Sequence, residues 1–94
     1  MKSQMEEQTK DSGEVAFATL VLMFGTAARI HLGAVPDPVS GETKADLAQA
    51  KQMIDLLDVL KVKTAGNLTA TESAMLDDLL FDLHMRYLEA VKRA

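Results

Sequence analysis

The sequence predicts an all-α protein of three helices folded as one domain. Of its 94 residues, 48% are hydrophobic but only 4% are aromatic, so we expect a core of Leu, Val, Ile, Met and Ala, which suits helix packing. Apolar residues recur with helical periodicity, and a helix stop and a helix start follow each other within residues 66–72. Residues 1–12 are polar and aperiodic, which predicts a flexible tail before a single all-α domain over residues 13–94.

The first helix is predicted to run from about residue 14 to about residue 32. Gly33, followed by two prolines, ends it. The segment from Val15 to Ala28 is apolar nearly all round. At about 1.5 Å per residue it spans only about 21 Å, which is too short to cross a bilayer core of about 30 Å.

The second helix is predicted to open at a capping box formed by Thr43 and Asp46 and to run to about Thr64. Gly66 follows, and glycine is the residue type that most readily adopts the left-handed conformation after a helix C-terminus. The sequence therefore stops this helix just before residue 66.

The third helix is predicted to open at a second capping box, formed by Thr69 and Glu72, and to run from about Ala70 to Lys92. The short connection predicts that helices 2 and 3 form an antiparallel hairpin. Its two apolar faces are formed by Leu47, Ala50, Met53, Ile54, Leu56, Leu57 and Leu60 on helix 2, and by Leu76, Leu79, Leu80, Leu83, Tyr87 and Val91 on helix 3.

Several short runs make up a pattern that extends over most of the chain. They are Leu32-Gly33, Val35-Pro36-Asp37-Pro38, Ile54-Asp55-Leu56-Leu57, Leu60, Lys63-Thr64, Gly66-Asn67-Leu68-Thr69, Glu72 and Asp82 to Tyr87. From about Phe17 to Lys92 the chain resembles the bacterial DUF1844 family. The resemblance implies no activity, cofactor or catalytic residue, because the family has no established function. His84 stands where we would expect an arginine.

Charge and cysteine content exclude several classes of partner and site. A formal charge of −4 opposes binding to phosphate backbones, and no Lys/Arg cluster is interleaved with aromatics, so we expect no nucleic acid partner. A chain without cysteine forms neither a disulfide nor a thiolate metal site. The residues before the apolar segment are not basic, as those of a signal peptide would be. We expect a cytoplasmic protein without a membrane span.

No combination of polar residues predicts an active site. His31 and His84 are the only histidines, and the Glu-x-x-His pairs of di-iron helical bundles are absent, so we interpret both as structural. Asp77, Asp78 and Asp82 are interpreted as a solvated charged face. The serines lack a neighbouring base and a glycine-rich oxyanion loop. We therefore expect no enzyme, no metal and no cofactor.

Helix 1 is predicted to lie at the centre of a subunit interface. A chain of this length buries only about 60 to 65% of its unfolded surface, and helix 1 presents almost no polar side to water. Phe17, Phe24 and His31 recur every seven residues, as in a seam against a partner helix. An ordinary core face within one subunit is the alternative. The predicted interface consists of Phe17, Leu20, Phe24 and Ala28, with Phe81 and Leu88 of helix 3 as further cover.

This surplus of apolar surface predicts a homo-oligomer, most simply a two-fold dimer, that serves as a protein–protein interaction or scaffold module for another protein. The alternative, from a different class, is a carrier that encloses a small hydrophobic ligand between its helices. Attachment of helix 1 to a membrane surface fits the sequence less well, because helix 1 lacks a basic face.

Overall fold

The computed structural model of the protein describes the backbone of residues 2–93 and the side chains of residues 17–93. Three helices follow one another along the chain: α1 (Lys2–His31), α2 (Leu47–Lys63) and α3 (Ala70–Arg93). Residues 2–93 contain no strand, which confirms the all-α fold class over that range. Each helix packs against the other two, and the molecule is elongated, with extents of 54 × 30 × 16 Å.

Helix α1 differs from the prediction at its start. It begins at Lys2 rather than near residue 14, so its backbone includes most of the segment predicted to be a flexible tail. Residues 2–10 are mainly Lys, Gln, Glu and Met, which are good helix formers, and extending an existing helix avoids the cost of nucleating a new one. The flexibility of residues 1–12 and the domain start at residue 13 stay predictions.

The C-terminal end of α1 closes around Gly33, as predicted. Gly33 has a φ of 76°, and its N–H donates to the Ile30 carbonyl at 3.0 Å. The N–H of Ala34 donates to the Arg29 carbonyl, also at 3.0 Å. This pair of bonds is a Schellman motif, which favours glycine because the motif requires a left-handed residue.

Helix α2 begins with a single cap and not with the predicted box of Thr43 and Asp46. Asp46 is itself the N-cap, in extended conformation (φ −137°, ψ 90°), and its carboxylate accepts a hydrogen bond from the Gln49 N–H at 3.2 Å. A residue with this backbone cannot also belong to the first turn of the helix. The N–H of Asp46 donates to the His31 carbonyl at 2.6 Å, which ties the start of α2 to the end of α1.

The connection between α2 and α3 follows the predicted stop and start. The N–H and the hydroxyl of Thr64 both donate to the Leu60 carbonyl, at 3.0 and 2.7 Å, and Gly66 has a φ of 86°. The Thr69 hydroxyl accepts from the Glu72 N–H at 3.1 Å, and the Glu72 carboxylate accepts from the Thr69 N–H at 2.8 Å. These reciprocal bonds confirm the capping box.

The core lies where the apolar faces of the three helices meet. Gly25 of α1 lets α3 approach closely, because a Cβ at this position would lie 2.9 Å from Cδ2 of Leu79. This contact accounts for a glycine inside a helix, where it costs about 1 kcal/mol relative to alanine. The buried residues are Val21, Ala28 and Leu32 of α1, Ala50, Ile54 and Leu57 of α2, and Leu76, Leu79, Leu80 and Leu83 of α3.

Candidate protein interaction surface

Three of the residues predicted to form a subunit interface face the core of their own chain. Ala28 is 0% exposed, so its side chain offers no surface to a second chain. Phe17 and Phe24 are half-buried and pack against the same core. The seven-residue spacing of the phenylalanines thus describes a core face of α1, which was the alternative interpretation. A further contact of Phe17 and Phe24 with a second chain stays a prediction.

The other three predicted interface residues are exposed. Leu20 of α1 is 39% exposed, and Phe81 and Leu88 of α3 are 70% and 55% exposed. Phe81 and Leu88 lie seven residues apart with Met85 between them, so the three form one apolar stripe along α3. These side chains are available to a partner, and their role in an interface stays a prediction.

A second set of residues on α1, four of them exposed and Ile30 half-buried, was not predicted as an interface from the sequence. Its members fall within an arc of about 100° on the side of the helix away from the core. Leu22 is 53% exposed and Met23 is 65% exposed. The set also lines a shallow surface depression of about 410 Å³ together with Ala27. We call it the α1 outer face; it consists of Thr19, Leu22, Met23, Thr26 and Ile30.

The sequence contains residues that mark the outward side of α1, but they do not identify it clearly. Thr19 and Thr26 are the only uncharged polar residues of α1 after residue 16 and before His31. Two hydroxyls surrounded by apolar residues mark the outward side of the helix only weakly. Because the opposite side is equally apolar, periodicity alone does not indicate which side is buried.

Charged residues of α2 and α3 pair across the contact between these helices. Nζ of Lys61 lies 2.8 Å from Oδ1 of Asp77, and Nε2 of His84 lies 3.2 Å from Oδ2 of Asp58. The hydrogen bond to Asp77, followed by the charge of that carboxylate, raises the pKa of Lys61 above its ordinary value of 10.5. Both pairs are about half exposed, and such pairs contribute little to stability. They help to set how the two helices face each other.

One ion pair joins α1 to α3. Nη2 of Arg29 lies 3.5 Å from Oδ2 of Asp82, whose carboxylate also accepts two hydrogen bonds from Nε of Arg86, at 3.1 and 2.9 Å. Arg29 is the only charged residue of α1 between residues 17 and 30. Since its guanidinium is engaged with α3, the α1 outer face carries no charge.

The candidate ligands for a metal or a catalytic site are dispersed. His84 pairs with Asp58, while His31 lies at the end of α1, where its carbonyl accepts the N–H of Asp46. Among residues 17–93, no three His, Cys, Asp or Glu residues are grouped in a way that could hold a metal ion. The structure thus brings the two histidines to different places, and His84 joins α3 to α2.

The sequence model of one protein family, described as Domain of unknown function (DUF1844), matches residues 14–89. Comparisons with curated proteins and with solved structures find no match. In the part of the chain that the structure describes, none of the helices combines the length and the apolar character needed to cross a membrane.

Proposed function

The chain belongs to the DUF1844 family of domains of unknown function, and from its surface we propose that it is a small self-associating helical protein that serves as an interaction or scaffold module. The simplest assembly is a two-fold homodimer. The observation that carries the proposal is the α1 outer face, which is uncharged, exposes Leu22 and Met23, and has two threonines as its only polar residues. The proposed role is not catalytic.

The free energy of leaving this face in water supports self-association. Fully burying a Leu or Met side chain is worth about 1.5 to 3 kcal/mol, and more than half of each of the Leu22 and Met23 surfaces is exposed. Exposed apolar residues are common on proteins when they are scattered. Here they are adjacent on one helix and have no charged neighbour on the same face, which is typical of an interface.

The exposed stripe of α3 supports the scaffold part of the proposal. Phe81, Met85 and Leu88 lie on a different helix from the α1 outer face and are 70%, 47% and 55% exposed. Pairing through α1 leaves this stripe available to another protein. Apolar anchors spaced at i, i+4 and i+7 suit a contact with a partner helix.

We infer that α2 and α3 form an antiparallel hairpin within each subunit. Asp58 of α2 pairs with His84, while Lys61, further along α2, pairs with Asp77, which comes earlier in α3. Partners whose numbers rise on one helix and fall on the other are typical of antiparallel helices. We also propose a cytoplasmic location, which the absence of cysteine from the sequence supports.

Sedimentation equilibrium of the full chain at micromolar concentration tests the proposal. We expect a species of twice the 10.2 kDa chain mass, or a higher multiple, that dissociates on dilution. A monomer that keeps its helical circular dichroism spectrum across the concentration range would overturn the proposed self-association.

A further inference from the structure

We propose that the α1 outer face packs against the same face of a second copy of this chain, with the two helices antiparallel and the two-fold axis passing between positions 22 and 23. This inference rests on the proposed function and specifies its partner, orientation and register. It is carried by the sequence of polar and apolar residues along the face, and the helix dipoles favour the antiparallel orientation.

From Thr19 to Thr26 the α1 outer face has the same pattern in both directions from its midpoint, and Ile30 lies beyond this part. Leu22 and Met23 lie on either side of the midpoint, and Thr19 and Thr26 follow at equal distances before and after it. In an antiparallel pair centred there, residues whose numbers sum to 45 lie at the same height. Thr19 then meets Thr26 of the second copy, and Leu22 and Met23 of one copy meet Leu22 and Met23 of the other at the two-fold axis. Hydroxyl groups face hydroxyl groups, and apolar groups face apolar groups.

Other antiparallel registers lose this match. A shift of one helical turn, about 3.6 residues, puts a threonine of one copy opposite Leu22 or Met23 of the other. A buried hydroxyl then lacks a cross-helix hydrogen-bond partner, which is unfavourable inside an apolar contact. The centred register is the one that pairs both threonines.

The helix dipoles favour the antiparallel orientation. A parallel pair would bring the positive N-terminal ends of the two helices together, and likewise their negative C-terminal ends. An antiparallel pair instead brings each end of one helix closer to the end of opposite sign on the other, which favours their approach.

Cysteine cross-linking tests this geometry directly, because the protein contains no cysteine of its own. A disulfide requires Cα atoms about 4.4 to 6.8 Å apart. Position 23 lies beside the two-fold axis, so the Cα atoms of the two Met23→Cys positions are within this range in the proposed dimer. Position 19 of one chain lies about 10 Å along the helix axis from position 19 of the second chain, at about 1.5 Å per residue. It lies at the same height as position 26 of the second chain, so Thr19→Cys can reach Thr26→Cys but not its own copy.

We expect Met23→Cys to form a disulfide-linked dimer on mild oxidation. Thr19→Cys and Thr26→Cys should each cross-link poorly alone and efficiently when the two variants are mixed, with the mixed yield at least fivefold above either alone. Val39→Cys is the matched control, since Val39 is 94% exposed and lies in the loop between α1 and α2. Its yield measures cross-linking by random collision.

Efficient cross-linking of Thr19→Cys alone and Thr26→Cys alone, without a gain on mixing, would indicate a parallel pair and overturn the proposal. Cross-linking at control level for all three variants would also overturn it, and sedimentation then separates two cases. A dimeric unmodified protein retains the proposed function with a different interface, whereas a monomer overturns both.

Discussion

Replacing Leu22 and Met23 of the α1 outer face by glutamine should separate the subunits without unfolding them. Glutamine has nearly the same helix propensity as leucine and methionine, so α1 itself loses little. Leu22 and Met23 are 53% and 65% exposed within one chain, so covering both in a dimer contributes about 2 to 4 kcal/mol per chain, taking about 1.5 to 3 kcal/mol for full burial of each.

A two-fold dimer contains the face twice, so the double variant removes about 4 to 7 kcal/mol of association free energy. With 1.4 kcal/mol per factor of ten, the dissociation constant should rise by about three to five orders of magnitude. Sedimentation equilibrium over a range of concentrations measures this change. Val39→Gln is the matched control, since it removes an equally apolar and more exposed side chain from a loop and should leave the dissociation constant unchanged.

Two results would refute the reasoning. A rise of the dissociation constant by less than tenfold would mean that the α1 outer face does not carry the association. A loss of helical circular dichroism in the double variant, without a corresponding loss in the control, would mean that these side chains support the fold of the single chain.

Three further predictions concern the fold. Thr69→Ala removes the hydroxyl that caps α3 and should lower the free energy of unfolding by about 0.5 to 2 kcal/mol, measured by urea denaturation; an unchanged midpoint would contradict the role of the box. Gly66→Ala puts a Cβ on a residue with φ of 86° and should cost about 1 to 2 kcal/mol through backbone strain alone, since no neighbouring atom lies within 4 Å of that Cβ. The pairing with Asp77 raises the pKa of Lys61. The small contribution of this pair to the free energy of unfolding is therefore fully present below the ordinary value of 10.5 and disappears as the pH rises through the raised pKa. Lys61→Met should abolish this part of the alkaline loss of stability, measured by urea denaturation as a function of pH.

The start of α3 and the C-terminal ends of α1 and α2 could be predicted because they depend on residues close together in the sequence. Thr69 and Glu72 are three residues apart, and their reciprocal hydrogen bonds form as soon as the first turn exists. Gly33 and Gly66 likewise end their helices through local backbone geometry. The apolar faces of α2 and α3 could be predicted because the other sides of these helices carry polar residues, so the apolar residues stand out with helical periodicity.

The start of α2 could not be assigned in the same way. Thr43 and Asp46 are both good N-cap residues, and the local sequence does not choose between them. The choice depends on a bond to a distant residue, since the N–H of Asp46 donates to the carbonyl of His31. That bond exists only when α1 and α2 have docked.

The sequence by itself determined the three helices, most of their ends, and the excess of apolar surface that predicts a partner. The tertiary structure decided which side of α1 is buried and which side is left exposed. From residue 15 to residue 28 the sequence of α1 is apolar nearly all round, so burial of either side of this segment stabilises it about equally, and contacts with other helices decide which side is buried. Gly25 admits Leu79 on one side, and Arg29 reaches Asp82 of α3. These contacts bury Ala28 and leave Leu22 and Met23 exposed.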